Sequence, residues 1–315
     1  MNLLVTGACG FIGSFVAKQL AAEGHKVIAL DVLTYAADVN RLRTERSSGI
    51  KLYVKSICDV TDVTDICKEH KIDKIINFAA HTHVDNSIKD ASSFVFSNVL
   101  GVQSLLDVCR DLKLSMIHIS TDEVYGPAHN APFKETDRFS PMNPYSATKV
   151  AGEHLIQAYR NTFGVDVVIL RPSNVFGPMQ HREKFIPTVI RNIKAGTPVP
   201  LYGDGKHERD WTHVSQIARA VSFCLSKNLS NDVFNVTAGS IYQNIDMVWQ
   251  IAEILFGHEL DFEKIYNQLV TFVPDRLGHD RKYWIDGSKL AAKGFFVEDE
   301  IGDFENFLRR TVLSY

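Results

Sequence analysis

Short apolar runs alternate along the chain with longer stretches whose apolar positions recur every three or four residues. Asn2–Thr6 is the first such run, and apolar positions at Phe15, Val16, Leu20 and Ala21 follow a glycine-rich turn. Together they predict a strand, a tight turn and a helix. Lys26–Leu30, Leu52–Ser56, Lys74–Phe78 and Leu114–Ile119 predict four more strands, and a long helix is predicted from about Ser92 to Leu112. Asn143 suits a helix N-cap and Pro144 the first helical position. Strands that are apolar throughout and alternate with helices build a parallel sheet covered on both faces. Ligands of such sheets lie beyond the carboxyl ends of the strands. Gly7, Asp31, Asp59, His81 and Thr121 all fall at such ends.

The turn after the first strand reads Gly7-Ala-Cys-Gly10-Phe11-Ile12-Gly13. Its glycines let the backbone approach a pyrophosphate, and the helix N-terminus faces the phosphate charge. The second strand leads to Asp31, eighteen residues past Gly13, where a carboxylate accepts adenosine ribose hydroxyls. No arginine follows it immediately to receive a 2′-phosphate, so NAD is favoured over NADP.

The fifth strand runs into Ser120-Thr121-Asp122-Glu123-Val-Tyr-Gly126. Buried carboxylates are unfavourable unless paired, and neighbouring acids push their pKa values apart. Such a pair can supply an acid and a base at neutral pH. Adjacent strand residues point to opposite faces, so both serve one pocket only if the chain bends there. Tyr145 and Lys149, four apart, share one helical face, where an ammonium would lower the phenol's pKa.

Composition narrows the class. The 315 residues are 45% hydrophobic with a net charge of −3 and no basic block, which favours neither nucleic acid nor an anionic membrane. Five cysteines without a CxxC pair predict small core residues in a reducing compartment. No apolar run is expected to reach a membrane span, and the N-terminus does not read as a signal peptide, so the expected location is cytoplasmic. His81 and His83 lack companion ligands, so no metal is expected.

Together these residues resemble the extended short-chain dehydrogenase/reductase family. The GxxGxxG spacing at 7–13 and the Tyr-x-x-x-Lys at 145–149 are its hallmarks. Asn98 and Gly101 fit its long helix, and Arg171-Pro-Ser-Asn174-Val-Phe-Gly-Pro178 fits the segment after its sixth strand. The resemblance covers essentially the whole chain. Thr121-Asp122-Glu123 is similar to the branch of nucleotide-sugar 4,6-dehydratases acting on dTDP-glucose or a UDP-hexose. Segments 81–87, 183–187, 202–211 and 274–281 agree with that branch. The chain departs from it at Ala36-Ala37, Val175, Phe176 and His213-Val-Ser-Gln216, and its 126–144 segment is short.

The resemblance implies a Rossmann-type doubly wound α/β domain at 1–172, which takes back a strand-helix unit near 212–240 with Val233–Val236 as its strand. A smaller α/β lobe at 173–211 and 241–315 would bind a nucleotide-diphosphate hexose. NAD would contact Gly7, Gly10, Phe11, Ile12, Gly13, Asp31, Thr34, Asp59 and Val60, then Ala79, Ala80, His81, Asn98, Ser120, Tyr145 and Lys149. The sugar nucleotide would contact His83, Asp85, Thr121, Asn174, Glu183, Lys184 and Phe185, then Pro200, Tyr202, Arg209, Asn244, Arg276 and His279. On their own, Phe185 and Trp211 read as core aromatics, Arg209 as an ion pair with Asp210, and Arg276 as a turn contact to Asp275. The implied chemistry has Tyr145 deprotonate the 4-hydroxyl, Lys149 keep it acidic, Thr121 hold the 4-oxygen, Glu123 remove the C5 proton and Asp122 protonate the leaving 6-hydroxyl. A homodimer through the helices starting near Ser92 and Tyr145 is a further expectation. A 4-epimerase or decarboxylase would not need the Asp122-Glu123 pair. A non-catalytic nucleotide sensor would not need the tyrosine and lysine.

Overall fold

The computed structural model describes residues 1–42, 49–257, 268–297 and 304–315. Its first half alternates strand and helix: β1 (Asn2–Thr6), α1 (Phe11–Ala22), β2 (Lys26–Asp31), β3 (Lys51–Val54), α2 (Val60–His70), β4 (Lys74–Asn77) and α3 (Val84–Lys89). A long helix follows as α4 (Ser92–Val95), a π-turn (Phe96–Leu100) and α5 (Gly101–Leu112). Then come β5 (Ser115–Ile119), α6 (Pro144–Phe163) and β6 (Val167–Pro172). The second half holds β7 (Asn174–Phe176), α7 (Phe185–Lys194), β8 (Val199–Tyr202), β9 (Glu208–His213), α8 (Val214–Ser226), β10 (Val233–Val236), β11 (Ile241–Gln243), α9 (Asn244–Phe256) and β12 (Val270–Val273).

Seven strands form one parallel sheet in the order β10-β6-β5-β4-β1-β2-β3. One face packs Leu3, Val5, Ile76 and Ile117 against α1 and α8, and the other packs Leu4, Ile75, Met116 and Ile169 against α2, α5 and α6. That two-sided burial is why the strands read as unbroken apolar runs. β7, β9 and β11 form a small second sheet, and β8 pairs with β12. These strands pack with α7 and α9 around Phe176, Trp211 and Met247.

Three expectations need correction. The third strand is Lys51–Val54 rather than Leu52–Ser56, because Ser56 already serves the next turn: its carbonyl accepts from Asp59 N and its hydroxyl from Cys58 N. The 212–240 unit runs helix first, α8, then strand β10. The helix Ser92–Leu112 is, by length and composition, apolar enough to cross a membrane, contrary to the sequence reading. Half of it is buried in the fold, packed on α2 and α6.

Helix α6 is held at its N-terminus and near its middle. Asn143 caps it, its Oδ1 accepting from Ser146 N at 2.9 Å, with Ser146 Oγ accepting in return from Asn143 N. Further along, buried Glu153 receives the Arg171 guanidinium from β6 in two short contacts, Nε–Oε1 at 3.0 Å and Nη2–Oε2 at 2.6 Å. Arg171 also donates to Tyr125, so the helix is tied to the turn that follows β5.

Candidate active site

The cofactor side is built on the turn between β1 and α1. Gly7 has φ +64°, and a Cβ there would sit 2.7 Å from the backbone nitrogen of Ala79. A Cβ on Gly13 would sit 2.2 Å from the Gly7 carbonyl oxygen. Gly10 begins α1 with no side-chain cap, and no acid stands in the first turn, so the helix N-terminus presents unopposed positive potential. Asp31 is fixed beside this turn, Oδ2 accepting from Cys9 N at 2.9 Å and Oδ1 from Leu33 N at 2.8 Å. A bare N-terminus, a backbone cradle that any Cβ would fill and a carboxylate at the next strand end fit NAD. Gly13→Ala is expected to abolish NAD retention and lower the Tm. Chromatography of nucleotide released from the purified variant checks it, and retained NAD at the wild-type level would refute it.

The loop after β4 is clamped from the long helix. Asn98 Oδ1 accepts from His81 N, and its Nδ2 donates to His81 O and to Thr148 Oγ1, each at 3.0 Å. Through these bonds Asn98 positions the loop that carries Ala79, Ala80 and His81. Asp59 likewise uses its Oδ1 to cap α2, accepting from Asp62 N, and Val60 opens that helix. Thr34 lies on the segment beyond Asp31.

At the end of β5 the chain bends, as one shared pocket requires. Asp122–Tyr125 is a 3₁₀ turn whose cap is Thr121, with Thr121 Oγ1 accepting from Glu123 N at 3.3 Å. Asp122 is buried, receives the Thr121 hydroxyl at 3.2 Å, and has one oxygen without a partner. Burial and then the neighbouring Glu123 push its carboxyl well above the usual range, which favours its protonated form. Glu123 Oε2 accepts from Asn143 Nδ2 and from Tyr283 Oη, each at 3.3 Å. Ser120 Oγ is buried with no partner.

Tyr145 and Lys149 are both buried on the first turns of α6. Their relation differs from the sequence expectation. Burial, then the Glu123 charge, raises the Tyr145 phenol, while a hydrogen bond with Thr121 opposes the shift. Lys149 is turned to the Ile119 carbonyl at 2.6 Å, and burial lowers its ammonium to about 8 with Glu153 opposing. With its ammonium on the Ile119 carbonyl, Lys149 does not shift the phenol here.

The second lobe faces this row. Lys184 Nζ donates to the Thr82 carbonyl, and burial lowers its pKa. Arg276 Nη1 lies 3.7 Å from Asp85 Oδ1, and Tyr202 Oη donates to Asp85 Oδ2 at 3.2 Å. The turn contact to Asp275 is made by the Arg276 backbone N–H, leaving its guanidinium toward Asp85. His83 Nδ1, Asn174 Oδ1 and Arg276 Nε are buried without partners, an unmet demand that a polar ligand would satisfy. Asn244 begins α9 and Pro200 is exposed on β8. Phe185 stacks on Trp211 at 6.0 Å, as the core reading held.

Arg209 makes no ion pair with Asp210, because neighbours on β9 face opposite ways. Asp210 bonds Thr237, whereas Arg209 donates to the carbonyls of Glu208 and Asp280 and to His279 Nε2 at 2.8 Å. A guanidinium only donates, so His279 Nδ1 carries the ring proton and gives it to Asp275 Oδ1 at 2.7 Å. His207 Nε2 reaches the other Asp275 oxygen at 3.2 Å. His207, Asp275 and His279 are close enough to share a metal ion, a grouping apart from His81 and His83. The carboxylate already serves both imidazoles, and burial and Arg209 lower His279 to about 3.

The model of the NAD dependent epimerase/dehydratase family matches residues 3–237. The chain belongs to that family. Within it, the dTDP-glucose 4,6-dehydratase of Xanthomonas campestris pv. campestris is 38% identical over 330 residues, 99% of this chain and 92% of that protein. The structure of the dTDP-glucose 4,6-dehydratase from Streptomyces venezuelae with NAD and dTDP bound superposes with a TM-score of 0.92 at 34% identity, covering 100% of this chain and 97% of that one. UDP-glucose 4-epimerase of Thermus thermophilus, in complex with NAD, gives 0.88 at 27% identity, covering 100% and 98%.

Two contacts of the Glu123 carboxylate were not legible in the sequence. Tyr283 lies 160 positions from the Glu123 it touches, and it also donates to Asp280 at 2.9 Å. Asn143 was legible as a helix cap, but its second contact, to Glu123, was not. His213, where the chain departs from that branch, caps α8 by accepting from Ser215 N through its ring, and burial lowers it to about 4.

Proposed function

We propose that this chain converts dTDP-glucose to its 4-keto-6-deoxy derivative with loss of water. The observation that carries the reading is the bend after β5, which sets buried Asp122 beside Glu123 with both near Tyr145. NAD, when bound, accepts a hydride from the sugar and later returns one. Tyr145 takes the proton of the 4-hydroxyl, and Thr121 stabilises the oxygen as charge develops. The resulting ketone acidifies the C5 hydrogen, which Glu123 removes. Asp122 gives its proton to the departing 6-hydroxyl. Lys149 holds the nicotinamide ribose. Arg276, Lys184, Asn174 and His83 are assigned to the diphosphate and sugar, with Arg209 fixing His279 against them.

In this reading residues 1–172 with the unit at 212–240 hold NAD, and 173–211 with 241–315 hold the sugar nucleotide. The chain works as a cytoplasmic homodimer. Exposed Val95, Phe96 and Leu100 on the long helix and Phe163 on α6 support the dimer, and five free thiols support a reducing compartment. Light scattering tests the dimer.

The purified chain, incubated without added cofactor with dTDP-glucose, UDP-glucose or UDP-N-acetylglucosamine, should remove one water from dTDP-glucose, read by mass spectrometry. Unchanged mass with an inverted C4 centre would make it an epimerase. The pH profile carries a second expectation. An ammonium lowered by burial is charged below its pKa, so kcat should fall as pH rises through about 8, where Lys149 loses its proton. A descending limb near 10.5, the ordinary lysine value, would contradict it.

A further inference from the structure

Tyr35 stands four residues beyond Asp31, on the segment between β2 and β3. That segment leans on the glycine turn: Asp38 N donates to Cys9 O at 2.9 Å, and Arg41 Nη1 donates to Cys9 O at 3.1 Å and Ala36 O at 2.7 Å. From this base Tyr35 reaches away. Its hydroxyl donates to Glu183 Oε1 at 3.0 Å and accepts from Asn86 Nδ2 at 3.3 Å, with the His181 ring set edge-on against its own. Glu183 is itself flanked by His83 at 3.9 Å and His181 at 3.6 Å.

The positions of these partners give the contact its meaning. Asn86 follows β4, Glu183 lies between β7 and α7, and in the sheet β2 and β4 flank β1. A bridge from the end of β2 to the end of β4 therefore crosses the carboxyl end of β1, where the glycine turn lies. Tyr35 remains 56% exposed, so its ring adds little to the core. Partial burial and the Glu183 charge push its phenol up to about 12, which keeps the hydroxyl a donor at neutral pH.

We infer that Tyr35 is the strap that retains the dinucleotide, closing over its pyrophosphate by hydrogen-bonding Glu183 and Asn86 across the mouth of the glycine turn. The inference rests on the function proposed above, and that chemistry explains why retention matters. Oxidation at C4 breaks the C4–H and O–H bonds and sends a hydride to NAD. Loss of the C5 proton and the 6-hydroxyl then forms a C5=C6 double bond and releases water. Completion needs that same hydride at C6 and a proton at C5. Cofactor escaping between these steps strands an unsaturated 4-keto sugar, two hydrogens lighter than the finished product.

The test compares wild type with Tyr35→Phe and Asn86→Ala, each loaded with NAD, desalted and followed for NAD still bound over time. Asn86→Ala, which loses one such hydrogen bond, is expected to speed release about three- to tenfold, and Tyr35→Phe, which loses both, more than that. The unsaturated sugar should also appear in the Tyr35→Phe products when no NAD is added. With saturating NAD, kcat should match wild type, a split that general loosening of the fold would not produce. Equal release rates for all three proteins would overturn the strap while leaving the dehydratase reading intact. A wild-type chain that holds no NAD would overturn both.

Discussion

Asp122→Asn is expected to lower water loss from dTDP-glucose by roughly 10²- to 10⁴-fold, the usual weight of one general acid. An amide is close in size to a protonated carboxyl, so the turn after β5 and the bond from Thr121 should survive. What disappears is the transferable proton. Oxidation at C4 and removal of the C5 proton depend on Tyr145 and Glu123, which the variant keeps. Hydrogen at C5 should therefore still exchange with deuterated solvent while the 6-hydroxyl stays in place. Mass spectrometry of the recovered sugar nucleotide reads both events. Undiminished water loss would remove Asp122 from the acid role, and loss of exchange would show that it acts earlier.

The second large effect should follow from Tyr145→Phe. The phenol is buried beside Thr121 and the Glu123 carboxylate, and removing its oxygen deletes the group assigned to take the 4-hydroxyl proton in the proposed reaction. Turnover should fall by a factor of the same order, roughly 10²- to 10⁴-fold. Unlike Asp122→Asn, this variant should also lose C5 exchange, because C5 is acidic only once the ketone exists. NAD should stay bound, since the glycine turn and Asp31 are untouched. Exchange at the wild-type rate would sink the assignment of Tyr145 as the base.

The sheet was legible because its central strands are buried on both faces and β1, β3, β4 and β5 each lead on to a helix with its own signal. The glycine turn and Asp31 were legible because their spacing reflects local geometry. The bend after Thr121 could be stated only as a requirement: whether two adjacent acids meet depends on φ and ψ, which residue type constrains weakly. The Lys149 effect on Tyr145 was misjudged because sharing a helix face says nothing about the carbonyl that captures the ammonium. The bonds that tie Asn98 to His81 and Thr148 were not legible, because those partners lie 17 and 50 positions away. Arg209 was misread by adjacency, since pleating sends it and Asp210 to opposite sides.

The π-turn at Phe96–Leu100 has a consequence for how this chain can change. Such a turn holds one residue more than a regular helix, so α4 and α5 stand out of phase by about 100°. Deleting one residue there would leave a smoother helix yet rotate everything before it, carrying Asn98 off the His81 backbone and turning Val95 and Phe96 to a different side. The irregularity is thus a phase setting shared by the loop after β4 and the outer face of the helix, and neither can be re-registered without the other.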